Sequence, residues 1–101
     1  MPDTVVTTYF ISRHPGAIEW AARQGLAVDS FLHHLDPKQV QAGDTVIGTL
    51  PVNLAAQICA KGATYWHLSL ALAAEQRGTE LTADDMMRLG ARMDAFQISP
   101  V

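Results

Sequence analysis

The sequence predicts a single α/β domain built on a mainly parallel four-stranded sheet flanked by helices. Three observations predict it. Short runs rich in Val, Thr, Ile and aromatic residues alternate with amphipathic runs, in the order strand, helix, strand, turn, strand, helix, strand, helix. Glycines stand just past the first two amphipathic runs, at Gly25 and Gly62, where helices stop. The length, 101 residues, leaves room for one domain and no second.

Each element has a local cause. The run 4–12 (TVVTTYFIS) is β-branched and aromatic, without Gly or Pro, and reads as a buried strand. It stops at Arg13-His14-Pro15-Gly16, and Pro15 suits the first turn of a helix over 17–24, with Ile18, Ala21 and Ala22 on one face. The run 28–35 (VDSFLHHL) alternates imperfectly and reads as a short strand at a sheet edge. Asp36-Pro37 starts a turn, 45–48 is the third strand, and 49–53 is a strand-to-helix junction. The second helix follows to Lys61 with Leu54, Ala55, Ile58 and Cys59 on its face, and the fourth strand spans 64–70. A polar loop holding Arg77-Gly78 comes next. Thr82 is a good N-cap with Asp85 three residues on, and the third helix is expected to carry Met86, Leu89, Met93 and Phe96 as one apolar stripe. Residues 97–101 read as a loose tail.

With the second strand at an edge, the natural strand order is 2-1-3-4, which reverses between the first and third strands. Open parallel sheets bind ligands beyond the strand C-termini at such a switch point. The loops 12–16 and 48–53 are therefore expected to form one cleft.

Composition narrows the function. Apolar residues make up 49% and charged residues 17%, too hydrophobic for a disordered chain. The net charge of −3 and the lack of a basic stripe argue against long nucleic acid as a partner. A small phosphorylated ligand stays open, because a few arginines and helix N-termini hold phosphates locally. No apolar run reaches the roughly 18 residues of a membrane span. Met1-Pro2-Asp3 shows no signal-peptide character, and a lone cysteine, Cys59, rules out an intrachain disulfide. The expected compartment is the cytoplasm, with no membrane association.

Arg13-His14 is the first candidate for chemistry: a fork donor for phosphate oxygens beside a side chain suited to proton transfer, both ahead of a helix N-terminus. Ser12 and Gly16 bracket the pair. An ordinary polar loop with a surface arginine fits the same residues. The second candidate is Gly48 to Asn53, where Gly48 permits close backbone approach and Thr49 and Asn53 offer hydrogen bonds. It lacks the lysine of a P-loop and the spacing of a dinucleotide fingerprint, so a tight junction is the competing reading. The third is Ser69 with Arg77, on a loop long enough to fold over the cleft. His33 and His34 invite a metal, but neighbours on a strand point to opposite faces and no third ligand stands at a convincing spacing, so no metal or other cofactor is expected. His67, Cys59, Trp20 and Trp66 read as packing or interface residues.

The segments TTYFISRHPGAIEWAARQG, VDSFLHHLDP, GDTVIGTLPVNLAAQICAKGATYWHLSL and RGTELT resemble a family of small stand-alone CRISPR-associated proteins of type III systems, over residues 6–85. The resemblance implies a Rossmann-like architecture related to the CRISPR-associated Rossmann-fold (CARF) sensors. It implies a ring nuclease that opens the messenger cyclic tetra-adenylate and switches off antiviral signalling. Some similar proteins bind the messenger without cutting it, so sequestration is the alternative. The implied mechanism needs no metal: a ribose 2′-OH attacks the adjacent phosphate, leaving a 2′,3′-cyclic phosphate. On this reading Arg13 and His14 are catalytic, and Ser12, Gly16, Gly48, Thr49, Asn53, Ser69 and Arg77 bind the ligand. A two-fold symmetric ring and a small subunit lead to the expectation of a homodimer.

Overall fold

The computed structural model describes residues 6–70 and 81–101. The β-branched and aromatic segments form strands β1 (Thr8–Ile11), β2 (Ser30–Leu32), β3 (Thr45–Gly48) and β4 (Thr64–Ser69). Helices α1 (Ala17–Arg23), α2 (Val52–Ala60) and α3 (Ala83–Arg88) alternate with them, and Pro37–Gln39 forms one 3₁₀ turn. A fifth strand, β5 (Arg92–Phe96), follows α3. The sheet order is β2-β1-β3-β4-β5, parallel through β4, with β5 antiparallel.

The expected order 2-1-3-4 is present and the sheet is mainly parallel, but a fifth, antiparallel strand lies beside β4, which corrects the expected count of four. The expected stripe of Met86, Leu89, Met93 and Phe96 is broken by Gly90. That glycine takes φ +70°, and its N–H donates to Met87 O (3.2 Å) while the Ala91 N–H donates to Met86 O (3.0 Å). This is a Schellman stop, and α1 and α2 end the same way at Gly25 and Gly62. Beyond it the period changes from helical to alternating. Met93 pairs with Leu68 on one face, while Asp94 and Phe96 pair with His67 and Tyr65 on the other. The 3-4-3 spacing that suggested a helix is coincidence across two elements.

Two strands are shorter than expected. β1 begins at Thr8, with Val6 and Thr7 outside it and residues 4–5 outside the described residues, and β2 ends at Leu32, so His33 and His34 lie beyond the strand in bends. Residues 97–101 have no regular structure, yet Ile98 packs against the core and its N–H reaches Cys59 Sγ (3.5 Å).

The sheet separates two cores. On one face α1 and α3 cover Phe10, Ile47 and Leu68, with Trp20 and Met86 fully buried among them. Phe10 stacks on Phe31 at 5.4 Å and meets Trp20 edge-on at 6.2 Å. Burying side chains of this size is worth roughly 2–3 kcal/mol each. The Trp20 indole N–H is buried with no acceptor among the described residues. On the other face α2 covers Val46 and Tyr65 through Ala55, Ile58 and Cys59.

α3 starts with a full capping box: the Thr82 hydroxyl accepts from the Asp85 N–H, and the Asp85 carboxylate accepts from the Thr82 N–H, both at 3.1 Å. The Thr82 N–H, then the Thr82 side chain and Arg88, hold the Asp85 carboxyl below the ordinary carboxylate range. Its stabilising share is therefore present above a pH of about 4 and is lost as pH falls through the lowered folded value.

Asp44, directly ahead of β3, is buried. Its two oxygens accept from the Thr7 and Gln41 N–H groups, each at 2.9 Å, and tie the start of β1 to β3. Asp44→Ala orphans both donors and is expected to lower stability by about 2–3 kcal/mol in urea unfolding. Asp44→Asn keeps one acceptor oxygen and should cost less.

Candidate functional site

The chain leaves β1 and β3, which are neighbours, toward opposite faces of the sheet. α1 follows β1 on one side and α2 follows β3 on the other. The backbone parts at that point, and a cleft of about 490 Å³ opens there. It is lined by Ser12, Arg13 and His14 after β1, by Thr49, Leu50 and Pro51 after β3, and by His33, His34 and Leu35 after β2. Its described lining holds one arginine, three histidines and no carboxylate.

Local bonding sets these side chains. The Ser12 hydroxyl accepts from the His14 N–H at 3.1 Å, a turn that folds the loop back on itself. His14 Nδ1 accepts from the Leu81 N–H at 3.3 Å. A backbone N–H only donates, so Nδ1 is bare in this arrangement and the ring proton sits on Nε2. Arg13 is exposed, and the salt bridges among the described residues engage Arg23, Arg88 and Arg92 instead.

Gly16 is held by a packing contact that the sequence does not show. Its N–H donates to Leu81 O at 3.0 Å, and a Cβ placed there would meet Ala83 N and Thr82 C at 2.2 Å. It is the point where the β1–α1 loop presses on the start of α3. Gly48 is likewise a close approach: an added Cβ would lie 2.8 Å from Ile11 O. Thr49 lines the cleft but already donates its hydroxyl proton to Leu68 O at 2.6 Å, so toward a ligand it acts as an acceptor.

Ser12, Arg13, His14 and Thr49 thus come together, and other candidates do not join them. Asn53, in the first turn of α2, lines a separate apolar groove of about 430 Å³ with Ile98, Ser99 and Pro100. Ser69 lines a shallow hollow beside Gly90 and Arg92. Arg77, with Gly78 and Glu80, lies outside the described residues.

His33 and His34 are set aside as metal ligands in the sequence, on strand alternation and the lack of a third ligand, and are not among the expected site residues. They follow the last residue of β2, so alternation does not apply, and both reach the cleft. His33 also shares a side hollow with Arg13 and His14. The signal was the HHLDP run itself, which places both histidines directly ahead of a turn. Among the described residues no three His, Cys, Asp or Glu side chains are grouped to hold a metal.

Behind the cleft, Tyr65 is buried in the α2 core. Burial pushes its phenol up, partly offset by the N–H that Leu50 donates to it. Its hydroxyl lies 3.0 Å from Leu50 N, 3.1 Å from Gly48 O and 2.7 Å from His67 Nδ1. Cys59 is buried, and its Sγ lies 3.8 Å from Phe96 O.

Fold and cleft together define an α/β domain with an arginine- and histidine-lined crevice at its switch point. Residues 9–99 match the family described as "Putative CRISPR-associated protein (Cas_VVA1548)", and the chain belongs to that family. No curated protein and no solved structure matches it significantly. Among the described residues no helix is long and apolar enough to cross a membrane.

Proposed function

We propose that this CRISPR-associated protein is a ring nuclease that opens cyclic tetra-adenylate in the cytoplasm, and that its domain is a small relative of the CARF sensors. The observation that carries the reading is the cleft at the β1/β3 switch point, cationic or neutral throughout its described lining. Such a site favours an anionic ligand compact enough to enter it.

The chemistry is attack of a ribose 2′-OH on the neighbouring phosphate. The O2′–P bond forms and the P–O5′ bond breaks. The products are a linear chain with a 2′,3′-cyclic phosphate and a 5′-OH. The nucleophile is built into the substrate, so the protein's task is alignment and charge stabilisation. Arg13 grips the phosphoryl oxygens. His14, with Nδ1 occupied by the Leu81 N–H, offers its Nε2–H as a donor to the same phosphate. Thr49 accepts from a ribose hydroxyl. The cleft, about 490 Å³, is small for a four-nucleotide ring, which suits a homodimer offering two clefts to one ligand.

Incubation of the purified protein with cyclic tetra-adenylate, followed by chromatography, tests this. Linear product ending in 2′,3′-cyclic phosphate is expected, at an unchanged rate in EDTA. Tight binding with an intact ring would establish the sequestering alternative. Neither binding nor cleavage would overturn both.

A further inference from the structure

We infer that Tyr65 is a positioning residue for the cleft, acting through the backbone on either side of Thr49, an inference that rests on the ring nuclease reading for its catalytic part. β3 ends at Gly48, and from there the chain has no further partner in the parallel ladder with β4. Pro51 contributes no N–H. The turn therefore depends on side chains to hold it. The Tyr65 hydroxyl meets Gly48 O on one side of Thr49 and Leu50 N on the other. The Thr49 hydroxyl is tied to Leu68 O. One phenol oxygen thus fixes both peptide planes that flank a cleft-lining residue.

The proton count decides how the oxygen is used. A hydroxyl has one proton to give and two lone pairs to receive. Gly48 O only accepts and the Leu50 N–H only donates. Both legs are made when the hydroxyl donates to Gly48 O and accepts from Leu50 N and from His67 Nδ1–H. If His67 carried its proton on Nε2 alone, the hydroxyl would donate to Nδ1 and the Gly48 leg would be lost. His67 stands two residues from Tyr65 on the same strand face, edge-on to its ring at 5.8 Å. Its ring is edge-on to Phe96 at 6.0 Å, and Asp94 stands opposite it on β5. The tyrosine itself never reaches the ligand, since it is 2% exposed.

Tyr65→Phe keeps the buried ring and removes only the oxygen, so the fold survives. Amide exchange by NMR, without ligand, reads the clamp directly. The Leu50 amide is expected to exchange about tenfold faster or more in Tyr65→Phe, with Ile58 and Cys59 amides in α2 unchanged. Imidazole nitrogen shifts in the wild-type protein should show a proton on His67 Nδ1. An unchanged Leu50 amide, or a His67 protonated on Nε2 alone, would overturn the clamp whatever the ligand is. With cyclic tetra-adenylate, kcat should fall about tenfold in Tyr65→Phe with KM little changed, the mark of lost alignment. In a Thr49→Ala background the same change should matter less than about twofold. A full loss in that background, or no loss in either, would overturn the positioning role. A wild-type protein that leaves the ring intact would sink the nuclease reading while the exchange result still judges the clamp.

Discussion

Arg13→Ala is expected to slow opening of cyclic tetra-adenylate by about 100-fold or more, and to weaken its binding as well. Arg13 is the arginine in the described cleft lining, it is exposed there, and the salt bridges among the described residues do not include it. On the proposed mechanism, its alanine variant removes a charge-assisted hydrogen bond to the phosphate on which charge develops. His14 is distinguished by substitution chemistry. With its proton on Nε2 it acts as a donor, and a glutamine amide can donate from a similar distance. His14→Gln should therefore stay faster than His14→Ala in single-turnover assays. Equal loss in the two would assign proton transfer to His14 instead. Wild-type turnover by a folded Arg13→Ala protein would move the site off this loop.

The largest expected effect on stability comes from Gly16→Ala, at about 3 kcal/mol or more. Gly16 has ordinary right-handed backbone angles, φ −76° and ψ −8°, so backbone strain is not the cause. The cause is contact: the new methyl would lie 2.2 Å from backbone atoms of Thr82 and Ala83, and backbone cannot swing aside as a long side chain can. For a domain of this size, each kcal/mol lowers the melting temperature by roughly 4–8 °C. Thermal unfolding followed by circular dichroism reads it. Gly25→Ala is a useful contrast: it has open space around it but a φ of +73°, so it reports backbone strain alone. A Gly16→Ala protein as stable as wild type would mean that α3 is not pressed against the β1–α1 loop.

Much of this fold was legible because the determinants are local. The TVIG strand is bounded by Gly43-Asp44 and by Pro51, and its limits were read correctly. The glycines that close α1 and α2 are visible as glycines. The strand order followed from one edge assignment and the handedness of crossovers. What failed was non-local. Met86, Leu89, Met93 and Phe96 have helical spacing, and only the pairing of β5 with β4 shows that two of them are on a strand. Gly90 carried the warning, since it is the same kind of stop that was heeded at Gly25 and Gly62.

The site was legible to the same degree. Arg13, His14 and Thr49 share one cleft because the switch point brings together the loops after β1 and β3, whatever residues those loops hold. His33 and His34 enter the cleft lining because β2 ends at Leu32, three residues short of its expected end, so strand alternation does not govern them. The Gly16 contact and the Tyr65 clamp join residues 66 and 15–17 positions apart in the chain. No periodicity or spacing encodes such meetings.

Trp20 gives the protein an optical property that follows from its burial. An indole in apolar surroundings, with no acceptor for its N–H among the described residues, emits at shorter wavelength than one in water. Trp20 is also tied to the cleft loop, since its backbone N–H donates to Gly16 O at 2.8 Å. Trp66 is half-buried and emits against a wetter background. The colour of the light from Trp20 is thus a built-in gauge of whether the loop bearing Arg13 is seated on α3, readable without any label.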